Sequence, residues 1–140
     1  MKKIAITILS VLVLSVVLFF GYEYVTEPKI TDGVLSKQLD DEGRPTMETT
    51  TFAPGDTVYF SAKRNRFWIS KAQVVWYKGD ITKKNRYAVE EEVDVNKAKY
   101  FSTKLTVPES LEEGHYGVTI YVKGSKIIET KASFDVVDPQ

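Results

Sequence analysis

The chain opens on an unbroken apolar stretch and then changes rhythm. Met1, Lys2 and Lys3 precede a run from Ile4 to Phe20 in which only Thr7, Ser10 and Ser15 are polar and no residue is charged. At the 1.5 Å rise of a helix this run covers roughly 25 Å, and with Gly21 and Tyr22 it approaches the ~30 Å hydrocarbon thickness of a bilayer. Phe19, Phe20, Tyr22 and Tyr24 gather at the far end, where aromatic rings favour the membrane interface, and the first carboxylate, Glu23, falls there too. The pattern predicts one membrane-spanning helix over Ile4–Tyr22, within an anchor of residues 1–25. A cleaved secretory signal has the same basic start and apolar core, followed by a small-x-small site. Gly21 to Pro28 offers no clean site of that kind, and the run is longer than an ordinary signal core, which favours the uncleaved anchor. In both cases Lys2 and Lys3 favour the cytoplasmic side and send the rest of the chain outward. A helix of a soluble domain would need a polar face, which this run lacks.

Residues 26–45 are predicted to be a linker, punctuated by Pro28, Asp32-Gly33 and Asp41-Glu42-Gly43-Arg44-Pro45, with an edge strand over Gly33–Leu39. Downstream, in residues 46–140, apolar positions alternate. After a turn at Phe52-Ala53-Pro54-Gly55-Asp56, a strand over Thr57–Lys63 places Val58, Phe60 and Ala62 on one face. Lys71–Lys78 turns Ala72, Val74 and Trp76 inward and Val75 and Tyr77 outward. A weaker strand spans Tyr87–Val95. Tyr100–Val107 aligns Phe101, Thr103, Leu105 and Val107 before Pro108 stops it. His115–Lys123 is the clearest, with Tyr116, Val118, Ile120 and Val122 on one face. Gly124-Ser125 reads as a tight hairpin turn into Lys126–Val137, whose inward set is Ile128, Ala132, Phe134 and Val136. About seven short strands at regular spacing, with no helical apolar spacing, predict an all-β sandwich or small barrel.

Two details favour the sandwich. Trp76 lies in the middle of the third predicted strand, counting Gly33–Leu39 as the first, and Leu111-Glu112-Glu113-Gly114-His115-Tyr116 has the spacing of a tyrosine corner. On these residues, and on the Phe52-to-Val58 segment Phe-x-Pro-Gly-Asp-x-Val, the chain resembles the immunoglobulin-like or fibronectin type III-like domains of bacterial membrane-anchored envelope proteins. The resemblance covers roughly Val34 to Val137 and implies an immunoglobulin-like antiparallel sandwich of about seven strands. It implies nothing about activity. The disulfide of antibody domains has no counterpart, because the chain contains no cysteine.

The missing cysteine also removes thiolate metal sites, a cysteine nucleophile and a lipid-modified cysteine. Nineteen basic residues balance nineteen acidic ones, which argues against a nucleic-acid binder. His115 is the only histidine and has no nucleophile-like context, so it reads as an exposed residue at a strand end. Asp40-Asp41-Glu42-Gly43 is acidic enough to suggest calcium, but its spacing matches no calcium loop. Glu90-Glu91-Glu92 with Asp94 reads as a charged, solvated sheet edge. No catalytic residue, metal ligand or cofactor follows from these groups.

Two surface features remain. The segment Lys63-Arg64-Asn65-Arg66-Phe67-Trp68-Ile69-Ser70-Lys71 would lie at one end of the sandwich, where loops carry recognition. Arg64 and Arg66 suit an anionic polymer or acidic partner, and Phe67 and Trp68 would be apolar anchors. The plainer alternative folds Phe67 and Trp68 under the core and leaves the basic residues solvated. The second feature is the outward face formed by Val75, Tyr77, Thr119 and Tyr121, which would be either a flat binding surface or simple cross-strand pairing. The expected function is a non-enzymatic, extracytoplasmic interaction module tethered to the cell membrane and binding an envelope protein. The alternative is a carbohydrate-binding module for cell-wall or surface polysaccharide, stacking sugars on Tyr77, Tyr121 or Trp68. A small carboxylate hydrolase and a sandwich-type protease inhibitor are more distant readings.

Overall fold

The computed structural model describes residues 2–105 and 111–138, and for residues 2 and 21–26 the backbone alone. A single α-helix, α1 (Lys2–Thr26), is followed by nine strands among the described residues: β1 (Ile30–Leu39), β2 (Pro45–Glu48), β3 (Thr51–Phe52), β4 (Tyr59–Arg64), β5 (Lys71–Lys78), β6 (Arg86–Asp94), β7 (Tyr100–Lys104), β8 (Gly114–Val122) and β9 (Thr130–Val136), with one 3-10 turn at Lys83–Asn85. They form two sheets, one of four strands in the order β2-β1-β4-β7 and one of five in the order β3-β9-β8-β5-β6. Every pairing is antiparallel except β3 with β9.

The helix is apolar on all sides, and no residue of Lys3–Phe20 is buried against the protein. The three polar side chains between Ile4 and Phe20 cause no conflict with an apolar surrounding. Thr7 Oγ1 donates to the Lys3 carbonyl (2.8 Å), Ser10 Oγ to Ile6 (3.0 Å) and Ser15 Oγ to Val11 (2.9 Å). Each hydroxyl is thereby satisfied within the helix, as an apolar surrounding demands. Its length and composition suit a membrane span, a property that anchors and signal sequences share. The interface roles expected for the side chains of Tyr22, Glu23 and Tyr24 lie outside the described residues, as do Val107 and Pro108.

The sandwich core forms where the alternating faces of the two sheets meet. Phe60, Ala62 and Phe101 come from the four-stranded sheet; Val74, Trp76, Val118 and Phe134 come from the five-stranded sheet, and all are at most 1% exposed. Phe134 lies at the centre of the aromatic packing. Its ring stacks on Tyr116 at 5.2 Å and meets Phe52 and Trp76 edge-on at 5.4 and 6.2 Å, while Phe60 meets Trp76 at 6.4 Å. The expected tyrosine corner is present: Tyr116 Oη donates to the Glu112 carbonyl at 2.7 Å, with Gly114 at φ 147° turning the chain into β8. Tyr116→Phe removes only this bond and leaves an exposed carbonyl that water can reach. It should therefore cost about 1 kcal/mol in chemical denaturation, against the several that a core truncation costs.

Four expectations need correction. Nine strands stand where about seven were expected, because two short ones, β2 and β3, form between Pro45 and Phe52, where no strand was expected. Asp41-to-Pro45 is a hairpin turn in which Asp40 Oδ1 accepts the Glu42 and Arg44 amides at 3.0 and 2.8 Å. The strand expected at the sheet edge lies inside the sheet, with β2 on one side and β4 on the other. It begins three residues before Gly33, since Asp32-Gly33 is a bulge within it and not a turn. The register slips between Thr31 and Val34, and Asp32 takes φ 54°, a conformation that Asp tolerates better than most residues. Finally, Gly124-Ser125 does not lead directly into a strand. β9 starts at Thr130, and Ile128, expected inward, is 43% exposed beside Ile127 at 66%.

Candidate functional site

Strand directions place four connections at the end of the sandwich that α1 enters: Glu27–Lys29, Asn65–Ser70, Val95–Lys99 and Lys123–Glu129. The register pairs Ile30 with Arg64, Lys63 with Tyr100, Ala72 with Val122 and Ile120 with Thr130, so all of these turns lie together. The β4–β5 loop is tied to the helix exit. The Asn65 amide donates to Lys29 O at 2.9 Å, Asn65 Nδ2 donates to Pro28 O at 2.7 Å, and Arg66 pairs with Glu27 at 3.3 Å.

This loop inverts the simpler of its two expected arrangements. Arg66 is the buried member at 7% exposure, and Ile69 closes the core beneath it at 8%. Phe67 is 82% exposed and Trp68 49%, with their rings edge-on at 5.2 Å. The reason is local: Arg66 Nη1 donates to the Asn65 carbonyl at 2.8 Å while its other nitrogen meets Glu27. With the guanidinium folded inward, the next two side chains point out. Arg64 is half-buried at the end of β4, where its amide donates to Lys99 O at 3.0 Å.

The second expected surface, the outward face of the five-stranded sheet, is covered. Val75 is 2% exposed, Tyr77 3% and Thr119 is fully buried; Tyr121 is half-buried. Tyr77 therefore offers no ring to a ligand, and its hydroxyl lies 3.4 Å from Thr119 Oγ1. The β5–β6 connection folds onto this face, and Gly117 makes that possible. A Cβ at position 117 would lie 2.6 Å from Ile81 Cγ1, so only glycine lets Ile81 settle there. Beside it a trough of about 420 Å³ remains, lined by Gln73, Val75, Lys83, Arg86, Tyr121, Ser125 and Lys126. Three of these residues are cationic and none is acidic. Burial pushes the Tyr121 phenol up, partly offset by a hydrogen bond with Thr119, so it is a neutral hydrogen-bonding group at physiological pH.

Several other titratable groups are engaged locally. His115 Nδ1 meets Asp135 Oδ1 at 2.8 Å across β8 and β9, both half-exposed. Glu92 on the β6 edge meets Lys71 at 2.7 Å and Lys123 at 3.1 Å, and these hydrogen-bonded cations hold its carboxyl below the usual range. Glu112 pairs with Lys78, with the same effect. Asp40 is lowered chiefly by the Arg44 amide and Asp56 by the Ala53 amide at 2.8 Å. The acidic Asp40–Gly43 turn leans on the β6–β7 connection and β7: Gly43 O accepts from Asn96 Nδ2 at 3.0 Å and Ser102 Oγ at 3.1 Å. These carboxylates stabilise turns and strand pairs.

The cationic trough was not anticipated. Alternation alone puts Gln73 on the same face as Val75 and Tyr77. Gly117 within the clearest strand was the signal that something approaches the sheet closely there. Lys83 and Lys126 arrive from two connections whose path no local pattern encodes, and Arg86 from the start of β6. No protein-family model matches the chain. A search of curated proteins likewise finds no match.

Proposed function

We propose that this chain is a non-enzymatic interaction module, tethered to the cell membrane by Ile4–Tyr22 and holding an immunoglobulin-like sandwich on the extracytoplasmic side, where it binds an acidic segment of an envelope protein. The observation that carries the reading is the trough over the five-stranded sheet. Lys83, Arg86 and Lys126 line it together with Gln73, Ser125 and Tyr121, with no carboxylate among them, in a chain whose overall charge is balanced. A local excess of cations with neutral hydrogen-bonding groups suits carboxylate side chains presented by a partner. The immunoglobulin-like assignment draws on the strand orders β1-β4-β7 and β9-β8-β5-β6, on Trp76 in the core and on the Tyr116 corner. The outward orientation draws on Lys2 and Lys3 ahead of the helix.

Titration of the full chain in detergent micelles with an oligo-glutamate peptide tests this. Binding is expected, and Lys83→Glu with Arg86→Glu should weaken it by about tenfold or more, since each exposed pair contributes about 0.2–1 kcal/mol and reversal makes it repulsive. Absence of binding, or equal binding by the double variant, removes the trough as the site. Anionic polysaccharide is the second reading, favoured by Tyr121 in the same trough. The flat stacking platform it would prefer is missing, because Tyr77 is buried and Trp68 lies on the β4–β5 loop. Binding of an anionic polysaccharide but not of the peptide would select it.

A further inference from the structure

Of the eight large apolar side chains exposed on the described sandwich, four gather on two neighbouring loops, while Met47, Tyr87, Val89 and Val137 are spread over other elements. Phe67 and Trp68 on the β4–β5 loop are 82% and 49% exposed, and Ile127 and Ile128 on the β8–β9 connection are 66% and 43% exposed. Both loops belong to the end that α1 enters. The four connections at that end carry six basic residues, Lys29, Arg66, Lys97, Lys99, Lys123 and Lys126, against two acidic ones, Glu27 and Glu129. The acidic Asp40–Glu42 turn is bonded to one of these connections through Gly43 and Asn96, and its own Arg44 pairs with Asp40 and Glu42.

Helix length then fixes the depth. Ile4 to Thr26 spans about 33 Å as a helix, slightly more than the ~30 Å hydrocarbon core, so a spanning α1 ends just inside the headgroup layer. Glu27, Pro28 and Lys29 leave no slack beyond it, because Asn65 and Arg66 bind all three. The loop that carries Phe67 and Trp68 is thus held at the depth where aromatic rings and basic side chains partition best.

We infer that the helix-proximal end of the sandwich docks on the same bilayer that anchors the chain, with Phe67, Trp68, Ile127 and Ile128 inserted at the lipid interface and the surrounding lysines facing anionic headgroups. The domain is then held upright and close to the membrane, and the trough over its five-stranded sheet opens sideways along the surface. This inference rests on α1 being an uncleaved anchor, and it shares Lys126 with the trough.

The test uses the full chain in liposomes of phosphatidylcholine and phosphatidylglycerol whose acyl chains carry bromine, a contact quencher of indole emission. The chain has two tryptophans, and Trp76 is buried in the core at 1% exposure. Wild type should lose the Trp68 share of its emission, and Trp68→Phe should show no quenching. A second measurement uses the absence of cysteine: Phe67→Cys and Ile127→Cys, labelled with an environment-sensitive dye, should shift to the blue on reconstitution, whereas Glu113→Cys should not. An alkaline wash separates the two possible failures. A chain washed out of the vesicles overturns the anchor and the docking with it. A chain retained in the vesicles with Trp68 unquenched and both dyes in water overturns the docking alone, and so does a Trp68 contact made only when a protein partner is added.

Discussion

Phe134→Ala is expected to destabilise the sandwich by about 3–5 kcal/mol, the usual cost of truncating a buried aromatic, and to lower its melting temperature by roughly 12–30 °C. Phe134 is 1% exposed, and its neighbours are three further rings, Phe52, Trp76 and Tyr116. Rigid rings cannot collapse into the space a missing one leaves, so the cavity persists and its lining loses dispersion contacts outright. A domain of this size has about 5–15 kcal/mol to lose, and the variant should approach the threshold at which it no longer folds. Phe67→Ala is the matched control. Its ring is 82% exposed, and truncation should shift stability by no more than about 0.5 kcal/mol. Urea unfolding followed by circular dichroism gives both values. A Phe134→Ala variant within 1 kcal/mol of wild type would mean that the rings do not pack as described, and the two-sheet core would have to be redrawn.

The contrast between these two phenylalanines shows what the sequence can and cannot reveal. Phe134 was legible because it shares an alternating face with Ala132 and Val136, and the two-residue period of a strand fixes which side chains meet the core. The same reasoning located Phe60, Trp76, Tyr116 and Ile120. Tyr116 was legible in finer detail, since Leu-x-x-Gly-x-Tyr encodes a bond four residues back along the chain. What the period cannot tell is whether the opposite face meets water. Val75 and Tyr77 point outward, as alternation requires, and are buried all the same because the β5–β6 connection folds over them. That cover depends on Ile81 meeting Gly117, a contact across 36 positions that no local window contains. Loops are harder still. Phe67, Trp68 and Ile69 are three consecutive apolar residues without periodicity, and which of them turns inward was decided by Arg66 reaching Glu27, 39 residues away. Asp32-Gly33 misled for a different reason. A positive φ serves a bulge as well as a turn, and the choice between them is made by whether a partner strand continues on both sides.

Leu12→Arg combined with Leu14→Arg is expected to abolish membrane retention. Each arginine at the centre of a spanning helix costs about 2.5–3.5 kcal/mol, and each leucine lost forgoes a further ~0.5, so the pair opposes insertion by roughly 6–8 kcal/mol. Both positions lie inside Lys3–Phe20, a stretch in which no side chain is buried against the protein and to which the sandwich lends no packing. No neighbouring carboxylate is available to pair the new charges, for Ile4 to Phe20 contains none. Leu12→Val with Leu14→Val keeps the run apolar and should behave as wild type. The measurement is the alkaline-resistant fraction of cell membranes, with the intact mass of the recovered chain. Wild type and the valine variant should remain in the pellet at full mass, while the arginine variant should be released or left unexported. A wild-type chain recovered in the wash and shortened by the mass of its first residues would identify α1 as a signal sequence. The sandwich would then be free of the bilayer, and Phe67, Trp68, Ile127 and Ile128 would need a different partner, because the constraint that holds them at lipid depth would have been cut away with the helix.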